Sequence, residues 1–254
     1  MNHFLLFLLL FHVMADFSWK SNALHQASQH SVRWLLLHCA IYTVALFIPM
    51  FFLGFLSIGL SAIVAAALGV LHFITDSIKR TITIKHDSPK TVLVSFIVDQ
   101  SMHMMYLWMA SLFVQSNIAT APWFAAIPDM TTYVKGIQLL TAMLIGYKPA
   151  AILVKLVLDT LPLLAMQGEQ ESVMTNSTEE AGAGGGRLIG ILERGMIILL
   201  AFMQQFGAIG FVLAAKSIAR YKQLEQQSFA EKYLVGTLSS ALIALFVSLL
   251  IGKL

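Results

Sequence analysis

Charge is scarce in this chain: Asp, Glu, Lys and Arg make up 11% of its 254 residues, while 58% are hydrophobic and the mean hydropathy is +0.78. A soluble domain carries about 25% charged residues. That deficit excludes a water-solvated globule and leaves an all-α, multi-pass membrane protein. Cysteine is nearly missing too, and the single Cys39 excludes an intrachain disulfide. Although it adjoins His38, it reads as a small buried hydrophobe without a role. No β-barrel alternation, Walker loop, Gly-x-Ser-x-Gly elbow, dinucleotide fingerprint or HExxH pair is found. The formal charge of +3 is too small for a nucleic-acid surface, so no nucleic-acid partner is expected, and it suits cationic loops beside an anionic leaflet.

What the chain does have is long apolar runs. A helix needs about 20 apolar residues to cross the hydrocarbon core, and such windows lie near 2–19, 32–53, 55–78, 92–115 and 133–165. The last is interrupted by "GYKPAA", as one kinked span or two short pieces. The first lacks a basic n-region, so it is expected to be a retained span. The stretch "QGEQESVMTNSTEEAGAGGG" cannot bury enough surface to order itself and is expected to be a flexible linker over 167–187. It separates an N-terminal membrane bundle, 1–166, from C-terminal membrane helices, 188–254. There, 188–219 is expected to fold as a hairpin turning near "QQFGAIG", giving about seven to eight spans in all. Lys20, Arg33, Lys79, Arg80, Lys85 and Lys90 put two loops on the cytoplasmic side by the positive-inside rule, and Lys148 and Lys155, toward the cytoplasmic end of the fifth segment, put the linker there too.

Inside these spans lie ionisable residues in a repeated spacing. "HVMAD" supplies His12 and Asp16, "HFITD" supplies His72 and Asp76, and "DQSMH" supplies Asp99 and His103. Each pair is spaced i,i+4 and shares a helix face. Random placement would give roughly 0.4 such pairs in a chain of this length, so three call for an explanation. His38 falls at a similar depth on the second span, and antiparallel helices could aim all seven residues into a polar layer at the core of a four-helix bundle. An ionised Asp within a span costs at least about 2.5–3.5 kcal/mol on insertion scales, and therefore takes a partner. A divalent cation suits imidazole and carboxylate together: zinc first, with manganese or iron as alternatives. Hydrogen-bonded His–Asp pairs that staple helices, or a proton relay, remain the other readings. Gln100 is expected to make a helix contact rather than ligate. His3, His25, His30 and His86 read as solvated.

The second dense region is "GILERG…AAKSIAR…AEKYLVGTLSS". Glu193 and Arg194 sit in an apolar run and need partners, for which Lys216, Arg220 and Glu231 are candidates. An ion-pair network, or a lipid headgroup held by the same cations, would satisfy them.

The segments "FHVMADF", "LHFITDSIKR" and "DQSMH", with the later "GILERG", "IGFVLAAKSIAR" and "AEKYLVGTLSSAL", resemble the bacterial integral-membrane proteins grouped as domain of unknown function 3307. The resemblance covers most of the chain apart from the linker. It implies a bacterial inner-membrane protein and matches His12, Asp16, His38, His72, Asp76, Asp99 and His103 one by one, but brings no reaction with it. A weaker likeness is to membrane-bound metal-dependent hydrolases. Together these give a first expectation of a metal-dependent hydrolase or transferase on a lipid or lipid-linked phosphate. Asp99 would be its general base where it is not a ligand, and Lys79 and Arg80 would neutralise phosphate charge. A divalent-cation or proton-coupled transporter and a non-catalytic scaffold are the alternatives. The oligomeric state is not legible.

Overall fold

The computed structural model describes residues 3–20, 27–28, 31–52, 57–113, 126–161 and 179–254, and every regular element among them is helical. The helices are α1 (His3–Val13), continued by a π-helical turn Met14–Ser18, then α2 (Val32–Phe52), α3 (Ile58–Lys85), α4 (Pro89–Phe113), α5 (Met130–Tyr147) and α6 (Pro149–Asp159). After these come α7 (Glu179–Phe202), α8 (Phe206–Ala219), the single turn α9 (Tyr221–Leu224) and α10 (Gln227–Ile251). Among the described residues four helical stretches are long and apolar enough to cross a membrane: α2, α3, α5 with α6, and α10. His3–Ser18 and α8 are apolar but shorter.

Local chemistry sets several of the boundaries. Ser57 caps α3 by accepting from the Leu60 N–H at 3.4 Å, and Ser88 caps α4 by accepting from the Thr91 N–H at 3.2 Å. Pro89 follows Ser88 at the first helical position, where its missing N–H costs nothing. At the start of α5 Asp129 accepts from the Thr132 N–H at 3.0 Å, a bond that holds its carboxyl below the usual range. The interruption read from "GYKPAA" falls at Lys148, before Pro149. Between α7 and α8, in "MQQ", Gln204 takes a positive φ of 59°, which few non-glycine residues adopt and which ends the helix.

The chain divides into two compact units, residues 1–144 with 253–254, and residues 145–252. In the first, α1 packs on α2, α2 on α3, α3 on α4 and α4 back on α1, closing a ring of four helices. In the second, α10 packs against α6, α7 and α9, and α7 against α8. The polar stretch expected to divide the chain thus falls within the second unit. Of its residues, 167–178 lie outside those described, and 179–187 belong to α7. The composition of that stretch, read as disorder, did not count the helix that follows it.

The faces of α3 explain how such helices assemble. Ser61, Ala65, Gly69, His72, Thr75 and Asp76 are buried along with Val64 and Leu68, while Ile63, Val70, Ile74 and Ile78 are exposed. A soluble helix does the reverse. Large aliphatic side chains facing out, and an inner face made mostly of small or polar ones, suit a helix solvated by lipid, where close packing and polar contacts drive association. At Gly69 the approach is closest, because a Cβ there would overlap Thr43 Oγ1 of α2. α4 repeats the arrangement, burying Asp99, His103, Leu107 and Ser111 while Val98, Met105, Trp108 and Phe113 face out. α1 is apolar on every side and is buried accordingly, with Leu6 and Leu8 fully enclosed.

Candidate metal centre

All four helices of the ring bring an ionisable side chain to its interior. His12 comes from the end of α1 and Asp16 from the π-helical turn, His38 from α2, His72 and Asp76 from α3, and Asp99 and His103 from α4. None is more than 8% exposed. The π turn is closed by the Trp19 N–H donating to the Met14 carbonyl at 2.8 Å, five residues back. Such turns recur at functional sites, and here one carries Asp16.

Four atoms from three elements converge. His38 Nε2 lies 3.2 Å from Asp16 Oδ1 and 3.2 Å from His72 Nε2. Asp76 Oδ2 lies 3.7 Å from His72 Nε2 and 3.8 Å from His38 Nε2. Two further groups overlap with this one: His12, Asp16 and His103, and Asp76, Asp99 and His103. Each group could hold a metal ion, and the six residues singled out by spacing, with His38 singled out by depth, all fall in at least one of them. Asp16, Asp76 and His103 each belong to two. Neither ring nitrogen of His103 has a hydrogen-bond partner among the described residues, and Asp99 Oδ1 likewise has none. Buried polar atoms left so are uncommon and call for an explanation.

Around this core stand residues whose part periodicity did not show. Tyr42 stacks on His72 with ring centroids 3.8 Å apart, and its hydroxyl meets His12 Nδ1 at 3.0 Å. Tyr42 therefore fixes two imidazoles at once. Gln100, expected to turn away toward a helix contact, makes that contact and more: its amide donates to Asp16 Oδ2 and to Asp99 Oδ2, both at 3.1 Å. Lys20, counted in the sequence only as a loop cation, reaches Asp16 Oδ1 at 3.7 Å and Asp76 Oδ2 at 3.8 Å. Its one sequence signal was its i,i+4 spacing from Asp16.

The other residues singled out lie as follows. Lys79 donates to Asp99 Oδ2 at 2.7 Å and lies over the Phe96 ring. It is thus tied to a carboxylate of the cluster, whereas Arg80 lies half-buried one residue on, outside the three groups. Cys39 is buried. His86 is exposed and His3 half-buried, while His25 and His30 lie outside the described residues. In the second unit Lys216 donates to Glu193, and Arg194 donates to the Gly146 carbonyl at 2.7 Å and to Ser240 Oγ at 3.3 Å. Arg220 and Glu231 are not brought to that pair: Arg220 lies over Phe229 and Glu231 accepts from Gln227.

Helical stretches apolar enough to span a bilayer, with a buried His and Asp cluster at the centre of a four-helix ring, define an all-α membrane-type protein with a candidate metal centre. The profile of the family described as "Protein of unknown function (DUF3307)" matches residues 4–130, half of the chain, and the chain belongs to that family. The matched stretch holds all seven cluster residues together with Lys20, Tyr42 and Gln100. No curated protein and no solved structure matches the chain, so the likeness to membrane-bound hydrolases gains no support from them.

Proposed function

We propose that the first unit is a metal centre within the membrane and that the protein acts there as a hydrolase or transferase on lipid-linked phosphate. One observation carries the metal reading. Zinc bonds nitrogen and oxygen at about 2.0–2.2 Å, so ligands at the corners of a tetrahedron stand roughly 3.3–3.6 Å apart. Four of the six separations among His38, His72, Asp16 and Asp76 run from 3.2 to 3.8 Å, near that edge, and all their ligand atoms lie within 4.8 Å of one another. The donor set of imidazole nitrogens and carboxylate oxygens suits zinc first, with manganese or iron as alternatives.

The remaining roles follow from position. A cation held by three of those four, with its remaining position open, would polarise a phosphoryl oxygen or activate water. A second cation would fall to His12 and His103 with Asp16, or to Asp99 and His103 with Asp76; without one, His12, His103 and Asp99 would shape the first one's surroundings, with Asp99 as general base. Lys79, already beside Asp99, and Arg80 would neutralise phosphate charge. The chain would then be a multi-pass protein of about seven to eight spans in a bacterial inner membrane, with 167–187 on the cytoplasmic side. Glu193, Arg194, Lys216, Arg220 and Glu231 would serve structure or headgroup contact in the second unit.

A second reading, a non-catalytic scaffold held by hydrogen bonds, draws on one observation: Lys20 and Lys79 already lie against the three carboxylates. Elemental analysis separates the two. The detergent-purified protein is expected to carry zinc at one or two equivalents, and a His38→Ala, Asp76→Ala variant that still inserts is expected to carry none. Absence of bound metal from the parent protein, before and after reconstitution with zinc, manganese and iron, would leave the scaffold.

A further inference from the structure

Between α3 and α4, near the turn that joins them, lies a cleft of about 370 Å³, within the range of small-molecule sites. Its walls are Ile78 and Ile82 of α3 and Val94 and Val98 of α4, all open to the surroundings, with Lys79 and Lys90 at its border. Asp99, a member of the third ligand group, lines it as well.

The two kinds of lining point to one kind of molecule. Four exposed aliphatic side chains cannot hold a free anion, and two lysines are wasted on a plain hydrocarbon. An anionic amphiphile satisfies both. α3 ends at Lys85 and α4 begins at Pro89, so the cleft lies at the end of the α3–α4 hairpin, where a spanning helix meets the headgroup region. Arg80 and Lys85 add cations to the same end, and clusters of this kind beside a span select anionic lipids. Lys79 commits one of its three N–H donors to Asp99, leaving two.

We infer that this cleft seats an anionic glycerophospholipid, its acyl chain along Ile78, Ile82, Val94 and Val98 and its phosphate between Lys79 and Lys90. As the seat of a substrate it rests on the metal reading above; as a lipid site it does not. Phosphate held there stands beside Asp99, which joins the cleft to the cluster.

The test is native mass spectrometry of the full chain, released from nanodiscs of equal dioleoyl-phosphatidylglycerol and dioleoyl-phosphatidylcholine, with and without chelator. One phosphatidylglycerol is expected to stay bound in preference to phosphatidylcholine in both conditions. Lys90→Glu should cut that preference at least about fivefold, the worth of one cation at an anionic surface. Val94→Trp, which fills the cleft, should reduce retention of either lipid. Lys85→Glu, which removes a cation at the same turn but outside the cleft, should leave the preference within about twofold of the parent, less than the worth of one surface cation. An unchanged preference in Lys90→Glu, or an equal loss in Lys85→Glu, would overturn the site, as would full displacement of the lipid by inorganic phosphate. Loss of the preference in chelator alone would make the metal, not the cleft, the lipid's anchor, and would also overturn it. Preference kept in a protein that binds no metal would keep the site and remove only its role in catalysis.

Discussion

In the first unit the buried atoms that face one another across the ring are acceptors or can be: His38 Nε2, His72 Nε2, Asp16 Oδ1 and Asp76 Oδ2. In the second unit a buried carboxylate faces an ammonium, Glu193 with Lys216, and the guanidinium of Arg194 faces a carbonyl and a hydroxyl. Both interiors cost desolvation. The second recovers part of it from an ion pair at its centre, whereas the first meets cations only through Lys20 and Lys79 and keeps its imidazoles and carboxylates facing one another. A cluster rich in lone pairs has room for a cation, whereas a cluster of matched charges holds helices together and has no need of one.

The comparison breaks most visibly if both clusters respond alike to losing a charge. Lys216→Met strands Glu193, which is 3% exposed, and should destabilise the protein by about 3–5 kcal/mol, the cost of an uncompensated buried charge. Asp76→Asn in the first unit removes one acceptor from a surplus. It should lose the metal yet change the unfolding free energy of the metal-free protein by no more than about 1 kcal/mol, the net worth of a single hydrogen bond. Reversible unfolding in mixed micelles, with chelator present, reads both. Equal losses would mean that the two clusters share one structural role.

Next in size is the amide that ties two carboxylates together. Gln100→Leu leaves every candidate ligand in place but frees Asp16 Oδ2 from this donor and leaves Asp99 Oδ2 to Lys79 alone. Outer partners of metal ligands are worth about 10–100-fold in affinity, so zinc binding measured by chelator competition should weaken by that much. No change would remove Gln100 from the site's support.

The two units also differ at their tight glycines. A Cβ at Gly69 meets Thr43 Oγ1, on a short branched side chain that already donates to the Cys39 carbonyl at 2.8 Å. A Cβ at Gly146 meets Ile198 Cδ1 at 2.5 Å, the far end of a side chain that can rotate. Gly69→Ala should therefore cost about 1–3 kcal/mol, as overpacking does, and Gly146→Ala less. Thermal unfolding of the two variants side by side checks the order, and the reverse order would contradict this account of the α2–α3 contact.

How far the sequence discloses these differences depends on what sets each one. The i,i+4 spacing of His12 with Asp16, His72 with Asp76 and Asp99 with His103 is a property of single helices, so it can be read before any fold is known. The interruptions at Lys148 and around Gln204 are local in the same way, set by Pro149 and by a backbone turn. Which helices abut is not local. Tyr42 bonds His12 thirty residues away, and Gln100 reaches Asp16 across 84 residues, so nothing in the periodicity of their own helices marks either. The helical state of 179–187 was hidden for a different reason: glycine and acidic residues argue against order in isolation, yet here they continue into the apolar run of α7.

Lys20 gives the finest test of the difference between the clusters. Its ammonium lies 3.7 and 3.8 Å from Asp16 Oδ1 and Asp76 Oδ2, two of the four oxygens and nitrogens that would surround a cation. If the cluster were a matched ion network like that of the second unit, Lys20 would be its missing cation, and Lys20→Met would destabilise the protein without touching any metal. If the cluster is a cation site, Lys20 competes for the same oxygens, and removing it should tighten zinc binding. Even with water's screening, two unit charges 4 Å apart repel by about 1 kcal/mol, so the gain should be about fivefold or more. Chelator competition on the variant measures it. Weaker binding in Lys20→Met would mean that the lysine assists the cation rather than competing with it, and would place Lys20 among the residues that build the site.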